Sequence, residues 1–517
     1  MSEISENNKR IAKNTIMLYM RMLFTMFVSL FTTRVVLEAL GEDDYGLYNL
    51  VGAIIGMMGI LTSLLSQGTS RFITMALGRG DDRELKHTFS ASVTIHIILA
   101  AIIFIVGELA GVPMVNKLNI SPDRLDAAHF VFQLSLISAV VGIVQSPYHA
   151  AIIAHEKMNI YAYVSIWDVI AKLLIVYLLM AVDMDKLKLY SSFYFTVSLI
   201  TACIYFLYCR RKFAECRGVT LKVDAKLYKD IWKYTGWNAI GSIAFTMNGQ
   251  GVTILLNMFG TVVIAARGIA GSISNFVYSF VSNFQSAARP QIMKLCSVND
   301  LQGMNNLIMR TSKFSSYLIG LMGIPLFIEM DYVLQLWLKE VPEYTVTFAR
   351  LTLIQGIIQA IDFPIGAGIH AVGKMKLPNI TSAFIYMAIL PISYVGIKLG
   401  ASPAIAYVMI ICVYPLALFM DLYIIHKYAS FPVKIFIRNN VFCTFVFIIV
   451  TFLLASVVSQ YIEPSFLRLV VTTSVSSVIF IPVIYSFGLT EGERSYIQRI
   501  VLNRLSSVLP KTLNNKR

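Results

Sequence analysis

Eight polar or charged side chains interrupt long apolar stretches of the sequence, and they are the residues best suited to bind a ligand or move a proton. An isolated charge is costly among apolar residues, so it needs a partner of opposite charge, water or a charged ligand. Asparagine and glutamine amides donate and accept hydrogen bonds, which suits neutral hydroxyl-bearing ligands. The eight are Arg21, Asp168, Lys172, Asn248, Gln250, Arg267, Gln285 and Asp362.

Helical spacing predicts which of the two arginines faces a cavity. At about 100° per residue, Arg21 shares one face of its helix with Thr25 and Thr32. This polar face favours a cavity-facing Arg21 over a side chain that reaches back to the membrane surface. Arg267 shares a second polar face with Gln285, but it lies close to the end of its helix. For Arg267, reaching the membrane surface therefore stays open as an alternative.

The remaining charged and amide residues suggest coupling sites. Asp168 and Lys172 are four residues apart, so they can neutralise each other as a structural pair or respond to a proton or substrate. Asn-Gly-Gln-Gly at residues 248–251 is a poor helix interior and favours an unwound or bent segment. Asp362 lies two residues before Pro364, a helix breaker, which suits a hinge, an ion site or both.

Membrane-spanning helices must position these residues. Hydrophobic residues make up 57% of the 517-residue chain and charged residues only 14%, which is more apolar than a soluble core requires. Of the 43 lysines and arginines, thirty-one fall in the tails and loops on one side of the membrane, and six fall in the loops on the opposite side. This asymmetry places both termini in the cytoplasm and explains the net charge of +14 without a nucleic-acid partner. Fourteen apolar runs are predicted to span the membrane, near residues 14–37, 47–70, 89–111, 127–149, 160–182, 189–208, 236–258, 262–286, 314–333, 346–370, 379–398, 403–426, 440–461 and 465–487.

An internal repeat divides these spans into two lobes. Gly41, followed by Gly52-Ala53-Ile54, reappears as Gly260, followed by Gly271-Ser272-Ile273, at an offset of 219 residues. Six spans separate the copies, so both enter the membrane in the same orientation, which predicts two six-helix lobes in a parallel pseudo-twofold repeat. The predicted parts are an N-lobe (1–208), a basic cytoplasmic connector (209–235), a C-lobe (236–426), an additional helix pair (427–487) and a basic cytoplasmic tail (488–517).

Motifs for catalysis and nucleotide binding are missing from the sequence. It contains no Gly-x4-Gly-Lys-Ser/Thr phosphate loop, no His-Glu-x-x-His and no Gly-x-Ser-x-Gly. The six cysteines have no metal-ligand spacing. We therefore predict no enzymatic activity, no cofactor, no metal site and no ATP as partner.

One segment resembles a known family. Residues Leu40-Gly41-Glu42-Asp43-Asp44-Tyr45-Gly46-Leu47-Tyr48-Asn49-Leu50, with Ser66-Gln67-Gly68 and the segment 71–81, resemble the opening of bacterial polysaccharide-export flippases of the Wzx type. These belong to the superfamily of multidrug and lipid-linked oligosaccharide exporters. The resemblance implies an inner-membrane protein that moves an undecaprenyl-diphosphate-linked oligosaccharide from the cytoplasmic to the periplasmic leaflet, for lipopolysaccharide O-antigen or similar glycans.

The resemblance also implies roles for residues and partners. A cationic cavity between the lobes would accommodate the diphosphate and glycan, a role carried here to Arg21 and Arg267, with Asn248, Gln250 and Gln285 for the sugars. Asp168, Lys172 and Asp362 would couple transport to an ion gradient or the membrane potential. Membrane lipids and other polysaccharide-assembly membrane proteins are the implied partners.

Two alternatives remain open. A cation-coupled multidrug or small-solute exporter of the same superfamily would keep the two lobes, but such exporters commonly lack the additional helix pair. An integral-membrane polysaccharide polymerase or ligase would fit the composition, but such enzymes generally carry a large external loop, and every predicted outer loop here is short.

Overall fold

The computed structural model describes residues 2–495 except 156, 181, 183, 221–224 and 375, together with residue 498. The side chains of residues 2–19 and 225–239, with a few others inside helices, also lie outside this description. Part of the predicted connector and most of the predicted C-terminal tail are therefore outside the described residues.

Every regular element of the described chain is helical. The α-helices are α1 (Ser2–Arg79), α2 (Asp82–Val106), α3 (Val112–Val115), α4 (Leu125–Ala154), α5 (Met158–Met180), α6 (Lys186–Lys212), α7 (Ala225–Leu256), α8 (Thr261–Ser297), α9 (Leu301–Ile328), α10 (Met330–Trp337), α11 (Thr345–Val372), α12 (Lys376–Lys398), α13 (Ile405–Ala429), α14 (Val433–Phe436), α15 (Cys443–Gln460) and α16 (Phe466–Val483). Short π-helical turns cover Gly107–Gly111, Ile437–Phe442 and Ile484–Gly488, and 3-10 turns cover Pro122–Arg124 and Asn257–Phe259.

These helices are those of a multi-pass membrane protein. Twelve segments of the described residues are long and apolar enough to span a membrane. The first, Met20–Gly59, is broken at Gly41, and α7 is not among the twelve. Each of the fourteen predicted spans overlaps a helix of the described residues. The prediction of an all-α polytopic membrane protein is confirmed, with fourteen as an approximate number.

Two glycines at equivalent positions of the internal repeat break the chain in the same way. Gly41 has φ 79° and ψ 173°, and Gly260 has φ 97° and ψ 176°. Residues other than glycine almost never adopt this conformation. Gly41 separates the two halves of α1, and Gly260 separates the turn after α7 from α8. The repeat in the sequence thus has a counterpart in backbone geometry.

The chain divides into two compact units. Unit 1 contains the described parts of Met1–Phe276, Leu334–Gln355 and Gly373–Met420. Unit 2 contains those of Val277–Val333, Gly356–Val372 and Asp421–Arg517. Each unit combines three separate stretches of the chain, so the units are defined by helix packing and not by sequence order. The predicted boundaries of the two lobes stay predictions.

The core of unit 1 fixes α4 between its neighbours. Val51 of α1 is fully buried with Phe132 and Leu136 of α4. Gly107 and Gly111, in the turn that follows α2, lie directly against Leu136 and Phe132, so a methyl group at either position would overlap these side chains. Glycine here lets α2 approach α4 closely.

An ion cluster ties together the ends of three helices of unit 1. Arg124, at the start of α4, donates from Nε to Asp44 Oδ1 of α1 at 2.8 Å and from Nη1 to Asp185 Oδ2 at 2.9 Å. Asp185 caps α6 by accepting the Leu187 and Lys188 N–H groups, each at 3.1 Å. Burial alone would raise the pKa of Asp185, but the Lys188 N–H and the Arg124 guanidinium outweigh it and lower that pKa.

Buried ion pairs hold α16 and the segment after it against α9 in unit 2. Glu329, just after α9, is fully buried and accepts from Arg468 Nε at 2.9 Å and Thr472 Oγ1 at 2.8 Å, both on α16. Lys313 of α9 donates to Glu493 Oε2 at 2.6 Å. Burial alone would raise the pKa of Glu493, but the hydrogen bond from Lys313 contributes to lowering it. The second helix of the predicted additional pair, α16, is therefore attached to the end of α9 by buried polar contacts.

We predict that alanine at the two repeat glycines destabilises the fold. Gly41→Ala and Gly260→Ala should each cost about 1–3 kcal/mol, because no neighbouring atom crowds either position and the penalty comes from the backbone. Gly52→Ala and Gly271→Ala, equally uncrowded but helical, are the controls and should be neutral or stabilising by up to about 1 kcal/mol. Thermal unfolding in detergent measures the stability of all four variants. Equal loss of stability in the test variants and in the controls would contradict the prediction.

We also predict a large effect of breaking the Glu329 pair. Glu329→Gln should destabilise the protein by about 3–5 kcal/mol, because it leaves the Arg468 charge without its buried partner. The double variant Glu329→Met with Arg468→Met should recover much of that loss. Glu463→Gln, at an exposed position before α16, is the matched control. Unfolding curves that do not separate Glu329→Gln from Glu463→Gln would count against a structural role for the pair.

Candidate functional site

Four helices of unit 1 line an open cavity of about 590 Å³. Small-molecule sites typically measure about 300–1,000 Å³. The walls come from α1, α4, α5 and α6, and most of the lining side chains are polar or aromatic. The lining consists of Arg21, Thr25, Thr62, Ser66, Gly142, Gln145, Ser146, His149, Tyr161, Val164, Ser165, Asp168, Val169, Lys172, Tyr194, Ser198, Thr201 and Tyr205.

Helix α5 supplies the polar wall of the cavity because its polar residues recur at helical spacing. Tyr161, Ser165, Asp168 and Lys172 are separated by four, three and four residues, so they share one face. The opposite face of α5 carries Leu174 and other exposed apolar side chains, as a lipid-facing surface requires. The sequence therefore positions a charged stripe toward the cavity and an apolar stripe away from it.

Arg21 enters the cavity from α1. Its Nη1 donates to Ser165 Oγ at 3.4 Å, and its Cζ lies 4.6 Å from the centroid of the Tyr161 ring. Its Nε is buried without a hydrogen-bond partner, and Arg21 forms no ion pair with a carboxylate among the described residues. The guanidinium therefore keeps unused donors that can bind an anion.

Asp168 and Lys172 form the second charged feature of the cavity. Lys172 Nζ donates to Asp168 Oδ2 at 2.7 Å, and it also lies 4.5 Å from the centroid of the Tyr194 ring. Each side chain of the pair remains 26% exposed. The pair is neutral as a unit, and both side chains border the open space of the cavity.

The structure thus brings three predicted residues into one site. The sequence analysis assigned Arg21 to substrate binding and Asp168 with Lys172 to coupling, as separate features, whereas all three line the same cavity. Sequence reasoning missed the aromatic residues. His149 lies edge-on to Tyr161 at 5.0 Å and to Tyr205 at 5.7 Å between ring centroids.

A periodic signal could have found the α6 wall. Tyr194, Ser198, Thr201 and Tyr205 recur at intervals of four, three and four residues within an apolar helix. This is the pattern of a polar stripe on one helical face. It matches the stripe on α5, and together the two stripes form facing walls of the cavity.

Arg267 lies outside the cavity lining, in a different part of unit 1. Its Nε donates to Thr253 Oγ1 at 2.8 Å, its Nη2 donates to the Gly249 carbonyl at 2.8 Å, and its Cζ lies 5.3 Å from the Tyr407 ring centroid. Of the two alternatives predicted for residues 248–251, the unwound segment is wrong, because α7 is continuous there. A helix satisfies its own backbone polar groups within a membrane, and Arg267 adds a donor at the Gly249 carbonyl.

The two α7 amides occupy packed positions. Asn248 is 2% exposed, and neither of its amide atoms has a hydrogen-bond partner. The Gln250 side chain packs against Gly56 of α1, where a methyl group would lie 3.0 Å from Gln250 Nε2. Neither residue lines the cavity described above, and their predicted role in sugar binding stays a prediction.

Gln285 and Asp362 belong to unit 2. Gln285 Nε2 donates to the Ala360 carbonyl at 3.1 Å, and Tyr278 Oη donates to Gln285 Oε1 at 3.4 Å. One carboxylate oxygen of Asp362 is buried without a partner, and α11 continues as a helix through Pro364. Within the described residues, no group of three or more His, Cys, Asp or Glu side chains could hold a metal ion.

Comparison with known proteins places this geometry in a shared fold. Residues 18–178 match the family model MatE. The lipid II flippase MurJ in an inward closed conformation is 12% identical, covering 94% of this chain and 100% of MurJ at a TM-score of 0.70. An inward-facing multidrug resistance MATE family transporter of the MOP superfamily is 12% identical. The match covers 81% of this chain and 98% of the transporter, with a TM-score of 0.67. The chain has their fold.

A third structure and the curated sequences complete the comparison. The MATE multidrug transporter DinF-BH is 14% identical, covering 82% of this chain and 96% of its own at a TM-score of 0.60. Comparison with curated protein sequences finds no match. These solved structures are of transporters and a flippase, and at this level of identity they establish the fold.

We predict that Asp168 controls how transport responds to pH or to ions. Asp168→Asn cannot bind or release a proton and leaves Lys172 without its partner, so the dependence of transport rate on pH or cation concentration should change. Asp168→Glu keeps the carboxylate and should preserve that dependence. Asp362→Asn tests the predicted site in unit 2 in the same way. An unchanged dependence, with activity lost only in proportion to protein abundance, would make these carboxylates structural.

Proposed function

We propose that this protein is a flippase for a lipid-linked oligosaccharide. It moves an undecaprenyl-diphosphate-linked oligosaccharide from the cytoplasmic to the periplasmic leaflet of the inner membrane, where the glycan enters a cell-surface polysaccharide such as O-antigen. The observation that carries the proposal is the cavity of unit 1, in which Arg21 borders open space and has no carboxylate partner within the part of the chain that the structure describes. A guanidinium so placed offers charge-assisted hydrogen bonds to an anionic group of the substrate.

The coverage of the solved structures supports a flippase. The match to MurJ extends over 94% of this chain, whereas the matches to the two MATE transporters extend over 81% and 82%. The chain therefore contains more helical structure than the MATE fold accounts for, and α15 with α16 is the predicted additional pair. MurJ is named as a flippase of lipid II, which supports a lipid-linked substrate here.

The neutral part of the cavity supports a sugar-containing substrate. Tyr161, Tyr205 and His149 present aromatic rings next to the hydroxyl groups of Ser165 and other lining residues. Aromatic faces cover the apolar face of a sugar ring, while hydroxyl groups exchange hydrogen bonds with its hydroxyls. Pockets that bind neutral polar ligands combine apolar walls with a few placed polar groups in this way.

The energy source in this proposal is an ion gradient or the membrane potential. The sequence has no phosphate-binding loop for ATP, and the Asp168–Lys172 pair faces the cavity. Movement of one charge through a membrane potential supplies about 2.3 kcal/mol per 100 mV. Alternating access of the cavity to the two sides would use that energy to export the substrate.

A cation-coupled multidrug exporter is the second candidate. The MatE family match covers residues 18–178, which include every charged residue of the cavity lining. The two candidates differ in what must cross the membrane. A flippase changes the leaflet of a lipid-linked oligosaccharide, whereas an exporter lowers the cellular accumulation of drugs.

We predict that Arg21 is required for leaflet exchange. Arg21→Ala should abolish exchange of a lipid-linked oligosaccharide in reconstituted vesicles while the protein still inserts, because removing an unpaired cation lowers the insertion cost by about 2.5–3.5 kcal/mol. Arg21→Lys keeps the charge but loses the planar guanidinium, so exchange should fall only in part. Accessibility of the glycan in the outer leaflet is the measurement.

Arg34 provides the matched control for this experiment. It lies on the same half of α1 but outside the cavity lining, so Arg34→Ala should retain exchange. Full exchange by Arg21→Ala would remove Arg21 from the binding site. Wild-type exchange no faster than in protein-free vesicles, under an imposed potential or ion gradient, would favour the exporter, which drug accumulation in cells then tests.

A further inference from the structure

We infer that the cavity of unit 1 binds a carboxylate-bearing sugar residue of the oligosaccharide, and not its diphosphate. This inference rests on the proposed flippase function and names the part of the substrate that Arg21 recognises. It follows from three properties of the cavity, which are its net charge, its unpartnered donors and its size.

One uncompensated positive charge faces the cavity. Arg21 and Lys172 are its two permanent cations, and Asp168 is its carboxylate. Lys172 Nζ and Asp168 Oδ2 are 2.7 Å apart and neutralise each other. Among these permanent charges, the one that remains is that of Arg21. A ligand with a single negative charge matches it.

A diphosphate does not match this charge. A diphosphate diester carries two negative charges at neutral pH, and Arg21 can compensate one of them. The second would have no cation of its own in the cavity, because Lys172 Nζ already lies 2.7 Å from Asp168 Oδ2. A carboxylate needs one guanidinium, which binds it through two parallel N–H···O hydrogen bonds.

Three buried polar atoms of the lining lack partners and point to a ligand. They are Arg21 Nε, Thr62 Oγ1 and Thr201 Oγ1. Buried polar groups in proteins almost always have a hydrogen-bond partner, so these three atoms are suited to a ligand that offers one. A sugar acid supplies both kinds of partner, a carboxylate for the guanidinium and ring hydroxyls for the two threonines.

The aromatic residues define where the sugar ring lies. The Arg21 guanidinium stacks over Tyr161, with Cζ 4.6 Å from the ring centroid, and this contact holds the cation in place. His149 stands edge-on between Tyr161 and Tyr205. The cavity volume of about 590 Å³ suits a small-molecule-sized part of the substrate. The rest of the oligosaccharide and its lipid carrier must lie outside it.

A matched pair of glycosides tests the inference on the purified full-length protein in lipid nanodiscs. Methyl β-glucuronide and methyl β-glucoside differ only in the carboxylate at C6, and inorganic pyrophosphate is the third probe. We expect calorimetry to show glucuronide binding about tenfold or more tighter than glucoside, the range expected for a hydrogen-bonded charge. Arg21→Gln should remove this preference, Arg21→Lys should reduce it, and Arg34→Gln should keep it.

Each other outcome overturns the inference. Equal binding of the two glycosides, or binding of neither, would exclude a site for a sugar acid. Tighter binding of pyrophosphate, lost in Arg21→Gln, would assign the cavity to the diphosphate. Leaflet exchange separates this failure from failure of the proposed function. If the protein exchanges the lipid-linked oligosaccharide between leaflets but does not prefer the glucuronide, only the sugar-acid site is refuted. If it prefers the glucuronide but shows no leaflet exchange, the proposed flippase function is refuted.

Discussion

The high cost of an unpaired charge among membrane-spanning helices is the constraint on which the rest of this structure depends. A chain with 57% hydrophobic residues can keep a charge within its spans only by pairing it, hydrating it or offering it to a ligand. Glu329 is paired with Arg468, Asp168 with Lys172, and Arg267 is hydrogen-bonded to α7. Arg21 differs from these three, because its guanidinium borders a cavity and pairs with no carboxylate of the described residues. That position beside open space is what makes the cavity the candidate site.

Two carboxylate–cation pairs of this protein differ in how deeply they are buried, and this difference determines what each pair can do. Glu329 is fully buried, accepts from two residues of α16 and has no room to change partners, so its role is to attach that helix. The Asp168–Lys172 pair is 26% exposed on each side and borders open space. Its partners can be exchanged for water, a proton or a substrate at far lower cost. Exposure therefore separates a structural pair from one able to take part in transport.

Glycine solves two separate problems in this fold. At Gly41 and Gly260 it permits a backbone conformation that turns the chain between consecutive helices, and it does so at both copies of the repeat. At Gly107 and Gly111 it instead removes side-chain volume so that α2 can approach α4. The first use sets the direction of the chain, and the second sets the distance between helices.

The sequence by itself determined the helical class, the approximate number of spans and the repeat, because apolar length and glycine position are local properties of the chain. It also identified Arg21, Asp168 and Lys172 as costly charges, since hydropathy alone marks them. It did not show that the three share one cavity with His149, Tyr161 and Tyr205, nor that Glu329 pairs with Arg468 across 139 residues of chain. The unwound alternative for residues 248–251 of α7 was wrong, because helix propensity ignores the helices packed around a segment. Only tertiary structure decides which faces meet, since packing joins residues that are distant in sequence, and local periodicity carries no information about the partner.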